Sequence, residues 1–391
     1  MRRLLQLTEG QPAELVALAV DEYQALQILG LIDIAPTLDP GWFTVAAGRK
    51  VGVVTVGSLQ ITVHPKIQDI NRLVFLLGYA KKLDVWRDDE VHLHADDELL
   101  PALAEAFSRL ASRALEQGLL QSYQTVSESL PVLRGRLRAS EQMSHRFGLP
   151  LPLEVEYDDY TVDIAENRIL LMAVVRLLRL PDVSVGARKK LLRLQRSLAD
   201  VTCPAKTSPP PKWHRSRLNE RYHAALTLAE IVLAAESFEQ RIGDLIVSGF
   251  MFDMWGIFED FVTTALAEAL NPYGGRAVPQ CRTAMDEAAE VTMKPDLVWL
   301  RGDGTVGAVM DAKYKAEKPA GFPGADLYQL LAYCTVLGLR EGHLVYAKGN
   351  ELVRKHKIVR SDVTIHCHAL DLSLSPMALL ASIDRLAASV I

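Results

Sequence analysis

The spacing of apolar residues along this chain changes period twice. Over residues 1–100 the pattern favours strands. Two apolar runs, 51–56 and 59–63, flank Gly57-Ser58 and predict a hairpin, with a further short strand at 41–47 and helical spacing over 70–84. From 101 to 245 apolar residues recur at three- and four-residue intervals, predicting helices over 100–119, 167–180, 188–198 and 222–236. The stretch 202–212, TCPAKTSPPPK, is too rich in proline to be helical and reads as a connector.

The last third alternates between the two periods. Met254, Ile257, Phe258, Phe261, Val262, Ala265 and Leu266 form one face of a helix over 254–270. A hairpin follows within 293–315, then a Pro/Gly loop at 318–324 and a helix over 326–337 with Gly338 as its stop. Strands at 343–347 and 363–369 and a closing helix at 375–389 complete an α-β-β-α-β-β-α order, which implies a mixed sheet with helices. The expectation is an α+β multidomain protein. A β-rich N-terminal domain spans 1–100, a mainly helical middle region 101–245, and a C-terminal α/β domain with a mixed central sheet 246–391.

Composition agrees with a folded chain: 391 residues, 49% hydrophobic and 23% charged, too long for one ordinary core. No apolar run approaches the ~20 residues that cross a bilayer, and the N-terminus lacks the apolar stretch of a leader, so a cytoplasmic location is expected. The cysteines, Cys203, Cys281, Cys334 and Cys367, are widely spaced and form no C-x-x-C pair, which suits free thiols in a reducing compartment. His366-Cys367-His368 puts two histidines on one face of a strand but brings no further metal ligand. The net charge of −5 excludes strong, unaided DNA binding through a general basic excess.

The chemistry concentrates in TMKPDLVWLRGDGTVGAVMDAKYK, residues 292–315. Asp303-Gly304 between apolar runs is a strong hairpin signal, and as a two-residue loop it sets Asp296 opposite Asp311. Opposed side chains lie roughly 4.5–5.5 Å apart at Cβ, close enough for two carboxylates to share a hard cation. Lys313 falls on the same face as Asp311. Such a set is costly to bury without a metal or counter-charge, and Mg²⁺ resolves it, with Asp296 and Asp311 as ligands and the Ala312 carbonyl as a third. The same register would oppose Lys294 to Lys313, an unfavourable pair unless the strand is bulged. On the preceding helix Glu259 sits at the edge of the apolar stripe and can point at the sheet, while Asp260 faces solvent. On the following helix Gln329 and Tyr333 share a face.

In order, Glu259, Pro295-Asp296, Asp311-Ala312-Lys313 and Gln329-x-x-x-Tyr333 resemble the PD-(D/E)xK nuclease superfamily, the last element being similar to the helix motif of its RecB-like branch. That resemblance implies a nuclease-like C-terminal fold. Asp296, Asp311, Lys313 and Glu259 would be catalytic, and Gln329 and Tyr333 would support the site or contact DNA. Further segments, VGVVTVGSLQITVHPKI, LRGRLR and DYTVDIAENRILL, resemble McrC, the nuclease subunit of McrBC-type modification-dependent restriction systems. The resemblance implies a Mg²⁺-dependent DNA endonuclease subunit acting on double-stranded DNA. Its N-terminal region would dock on a McrB-like AAA+ GTPase hexamer and stimulate GTP hydrolysis. The 391 residues contain no G-x-x-x-x-G-K-[ST] loop of their own, in keeping with a partner that supplies nucleotide energy.

Two competing functions fit parts of the pattern: a stand-alone RecB-like repair nuclease, and a non-catalytic GTPase-activating adaptor with a vestigial nuclease fold. Arg134, Arg136 and Arg138 alternate into one basic face, suited to phosphate, an acidic partner or solvent. The run Arg188, Lys189, Lys190, Arg193 and Arg196 reads as a solvated helix face, and Glu166-Asn167-Arg168 as a helix-capping element.

Overall fold

The computed structural model describes residues 3–65, 72, 75–76, 78–79, 99–181, 183–205, 208–242, 245–314, 324–347 and 354–391. Most of the helix expected over 70–84, the end of the HPKI segment, Lys315 and residues 318–323 of the expected 318–324 loop lie outside the described residues, while Gly324 opens a helix. Two compact units emerge: Met1–Leu99 with Ala234–Ile391, and Leu100–Leu233. Residues 1–100 and 246–391, expected as separate domains, therefore share one unit.

Their union is made by strand pairing. A five-stranded sheet takes β1 (Arg3–Thr8), β2 (Lys50–Val56) and β3 (Leu59–His64) from the N-terminal segment, and β4 (Glu236–Ile242) and β5 (Leu245–Asp253) from the other. β2 and β3 form the expected hairpin, with Val56 opposite Leu59 across Gly57-Ser58. β5 runs antiparallel to β2, Val247 facing Val56 and Asp253 facing Lys50. Val51, Val54, Phe250 and Met251 are all buried there. A small sheet of Glu14–Ala17, Ile32–Pro36 and Trp42–Ala47 completes the N-terminal part, its last strand matching the one expected at 41–47.

The second large sheet of this unit carries the candidate chemistry. Its strands are β6 (Arg276–Pro279), β7 (Leu297–Leu300), β8 (Val306–Lys313), β9 (Glu341–Ala347), β10 (Arg354–Lys357) and β11 (Thr364–Leu370), in spatial order β6-β7-β8-β9-β11-β10. β8, β9 and β11 are parallel and the other pairings antiparallel, so the sheet is mixed as expected. Helix α1 (Met254–Leu270) buries the apolar stripe read from sequence, and Asp253 caps it by accepting from the Trp255 and Gly256 amides. Helix α2 (Gly324–Leu337) packs Leu330, Tyr333 and Cys334 onto Val298, Val309, Leu344, Ile365 and Cys367. Helix α3 (Pro376–Val390) closes the chain, with Ser375 capping its first turn. Strands β6 and β10 were not expected from the pattern.

The second unit is helical, with helices Leu99–Leu115, Ala165–Leu177, Val185–Ser197 and His223–Ala234 close to the expected spans. It also contains a three-stranded sheet, Ser122–Leu130, Arg136–Leu137 and Leu153–Thr161, which the apolar pattern did not predict within this mainly helical region. Among the described residues no helix is long and apolar enough to cross a membrane.

Candidate metal-dependent active site

The hairpin reaches its expected register by an unexpected route. Its loop holds three residues, Gly302–Gly304: the Arg301 amide donates to the Thr305 carbonyl at 2.8 Å and the Gly304 amide to the Arg301 carbonyl at 2.9 Å. Gly304 takes a left-handed φ of 82°, and Asp303 accepts from the Thr305 amide and hydroxyl at 2.9 and 2.7 Å. Leu300 then faces Val306, one residue out of the expected pairing. A bulge at Gly307 absorbs the difference, and from Trp299–Ala308 onward the expected pairing holds. A Cβ on Gly307 would lie 2.4 Å from the Trp299 ring, so the bulge requires glycine.

Past the bulge, Asp296 falls one residue before β7 and Asp311 lies within β8. Both are buried, at 8% and 2% exposure. Asp296 Oδ2 accepts the Ala312 amide at 2.8 Å. In continued register Ala312 would face Pro295, which has no N–H to give to the Ala312 carbonyl. The Lys313 ammonium is in ion-pair contact with Asp311 Oδ2, yet that buried oxygen accepts no hydrogen bond of ordinary geometry. Lys294 precedes the paired strand and is exposed, so the opposition of two lysines does not arise.

Electrostatics joins these groups into one site. Burial, then the neighbouring Asp296 charge, push Asp311 up to about 7 against the pull of Lys313. Asp296 is raised by burial, partly offset by the Ala312 amide, and Glu259 raises it further. Glu259, half-buried on α1, is itself raised, by burial first; it senses Lys313 and Asp311. Burial works against the Lys313 charge, but Asp311 and Asp296 outweigh it and raise the group. Asp260 is exposed, as expected. Gln329 Nε2 donates to Tyr333 Oη at 2.7 Å, and Tyr333 Oη donates to the Lys294 carbonyl at 3.5 Å, tying α2 to the approach to Asp296. The four expected catalytic residues and their two helical supports therefore converge.

A profile of the family described as "McrBC 5-methylcytosine restriction system component" matches residues 45–347. The chain belongs to the McrBC family. Among solved structures, the refined half-complex from the tetradecameric assembly of Thermococcus gammatolerans McrB AAA+ hexamers with bound McrC includes a similar chain. It is 18% identical with a TM-score of 0.60, over 99% of this chain and 100% of that one. The cryo-EM structure of the Thermococcus gammatolerans McrBC complex also matches, at 18% identity and a TM-score of 0.39, over 68% of this chain and 88% of that chain. At such identity the first likeness is one of fold. No curated protein matched the chain.

This McrBC-family chain also places residues at the site that no motif announced. Gln280, just beyond β6, donates its amide to the Asp296 carbonyl at 2.9 Å and brings Nε2 to 3.5 Å from Asp296 Oδ1, at a φ of 51°. Asp326, buried in the first turn of α2, accepts from Tyr346 Oη at 3.4 Å and adds to the negative field at Lys313. Tyr314, next to Lys313, donates to Glu9 Oε2 at 3.0 Å across 305 positions of sequence. An acid in a helix's first turn reads as capping, and the other two contacts carry no local signal at all.

Other sequence candidates have structural partners. His366 and His368 share a face with His343, His343 Nδ1 lying 3.0 Å from His368 Nε2. Their planes are within 10–25° of parallel. Burial holds His343 down at about 3 and His368 at about 4. Among the described residues no group of three or more His, Cys, Asp or Glu is arranged to hold a metal, so the Asp296–Asp311 site offers two carboxylates rather than a full cage. None of the four cysteines is in a disulfide. Arg134 pairs with Asp159 and Arg138 with Glu141, and Arg136 stands opposite Glu156 in strand register, so acids accompany each of these arginines. Arg188 donates to the Leu178 and Leu180 carbonyls, and Lys190 pairs with Glu105. Asn167 Nδ2 donates to the Leu120 and Val162 carbonyls, and Arg168 pairs with Asp163, consistent with structural service.

Proposed function

We propose that the chain is a McrC-type, Mg²⁺-dependent DNA endonuclease subunit with a PD-(D/E)xK nuclease domain, working on double-stranded DNA with a McrB-like AAA+ GTPase hexamer. The observation that carries the catalytic part is the pair of buried carboxylates with a buried ammonium beside them. Asp311 Oδ2 has no hydrogen bond of ordinary geometry and a neighbour whose charge resists its ionisation. Asp296, Asp311 and the Ala312 carbonyl would hold the cation, an all-oxygen set suited to Mg²⁺, which commonly takes one or two carboxylates and completes its shell with water and phosphate. When bound, the metal polarises the scissile phosphate and lowers the pKa of a coordinated water.

The chain's own side chains supply the rest. Lys313, kept charged by the two aspartates, stabilises negative charge that grows on the phosphate and orients the attacking water. Glu259, raised by its burial, is suited to take a proton from that water. Gln280 and the Ala312 amide hold Asp296 in place, and Gln329 with Tyr333 steadies the segment before it. Membership of the McrBC family and the fold likeness to a chain in an assembly of McrB hexamers with bound McrC support the partner.

The test is Asp311→Ala in the assembled complex. Loss of DNA cleavage by at least about a hundredfold, with GTP hydrolysis still stimulated, is expected for loss of a metal ligand. Full cleavage by the variant overturns the site. GTP hydrolysis without any cleavage by the unmodified complex replaces the reading with that of an adaptor.

A further inference from the structure

The edge of the large sheet remote from the hairpin concentrates positive charge. β10 reads Arg354-Lys355-His356-Lys357, and the turn beyond it adds Arg360. Both lysines and both arginines are exposed. Among the described residues, the acids near it include Asp362, exposed in the same turn, and Glu341, which lies 3.4 Å from His366 Nε2. In a chain of net charge −5 this local excess is not a reflection of composition.

Strand register relates the edge to the candidate site. Asp311 pairs with Leu344, Leu344 with Cys367, and Cys367 with Arg354, so the four form one row across the sheet. Residues in register share a face, and three strand spacings separate the ends of this row by roughly 14 Å. Leu344 and Cys367, between the ends, are buried beneath α2, and Lys355 and Lys357 alternate to the opposite face from Arg354, so the row measures the separation of edge and site and is not itself the surface that meets the duplex. Lysines on an edge strand also discourage pairing with other chains. That role does not call for arginines, whose planar fork matches phosphate, nor for Arg360 beyond the end of the strand.

We infer that β10 and its turn form a phosphate-binding edge that holds duplex DNA, independently of sequence, beside the Asp296–Asp311 site. The inference rests on the nuclease reading for what lies at Asp311, but binding rather than cleavage tests it. A short fluorescent DNA duplex of arbitrary sequence is titrated with the full-length chain, alone and in its partner complex, at several salt concentrations without divalent cation. Replacing Arg354, Lys355, Lys357 and Arg360 together by Gln should weaken binding about tenfold or more. It should also make the slope of log K against log salt shallower by about 2–4, since each neutralised phosphate contributes about 0.9. A comparison variant, Lys189→Gln with Arg193→Gln and Arg196→Gln, removes exposed charge from the other unit and should leave the slope unchanged. If the fourfold variant does not fold, Lys357→Glu alone should still reduce the slope by about 1. An unchanged slope, an equal change in the comparison variant, or no binding by the unmodified chain in either state overturns the proposal. Failure of the nuclease reading would appear separately, as intact binding by a complex that never cleaves.

Discussion

Asp311 illustrates how burial sets the protonation chemistry of a single residue. Its carboxyl sits in the sheet at 2% exposure with Asp296 alongside, and those two facts, more than any motif, push it up to about 7. Because the folded value exceeds the ordinary 3.8, the folded state binds the extra proton between those values. The stabilisation from that proton is complete below about 4 and is lost as pH rises through about 7. A divalent cation would remove the need for the proton. Asp311→Asn, neutral and of the same shape, should therefore melt higher than the unmodified chain at pH 8 without metal, and lose the rise in Tm that Mg²⁺ gives the unmodified chain. Thermal melts at pH 5 and pH 8, with and without Mg²⁺, provide the check. A cation-induced rise of equal size in both chains would remove Asp311 from the ligand set.

At the scale of elements, the hairpin was legible in its consequence and illegible in its route. Asp303-Gly304 marks the turn, but whether Gly302 joins the loop depends on Asp303 bonding to Thr305 and on Arg301 pairing with it. The compensating bulge depends on the Trp299 ring lying over Gly307. Neither relation has a periodic trace, whereas the apolar stripe of α1 does, and its span agrees with the pattern residue for residue. The short edge strand β10 has only charged and polar residues, so no alternation announced it. The bulge offers a sharp test. Gly307→Val would force its side chain into the Trp299 ring, and overpacking of this kind costs about 1–3 kcal/mol. Denaturant unfolding should show that loss, and cleavage by the complex should fall with it, because the bulge sets Asp296 against Asp311. Gly302→Ala, where a Cβ meets nothing within 4 Å, should leave both unchanged. A neutral Gly307→Val would mean that the register is held elsewhere.

On the scale of the whole chain, the missing information is which distant strands pair. A boundary at 245/246 follows from the change in apolar spacing, yet it falls inside β5, after its first residue, and β5 is paired with β4 from Ile242–Leu245 to Glu236–Met251. β5 in turn is paired with β2, and Tyr314 is joined to Glu9 in the buried interior. The first and last parts of the chain thus share one fold, and the segment between them, Leu100–Leu233, has a core of its own that includes Ile169, Leu170, Val174, Leu191, Leu226 and Ile231. Fragments should separate these descriptions. Residues 100–233 expressed alone should melt cooperatively, since their buried helices pack on one another. Residues 246–391 alone should not, because β5 would lose both neighbours and expose Phe250, Met251 and Phe252, each at most 2% exposed in the intact chain. Adding residues 1–99 as a separate polypeptide to a fragment 234–391 should restore a cooperative transition. A cooperative melt from 246–391 alone would instead make it an independent domain, and the pairing of β5 with β2 an association of two finished folds.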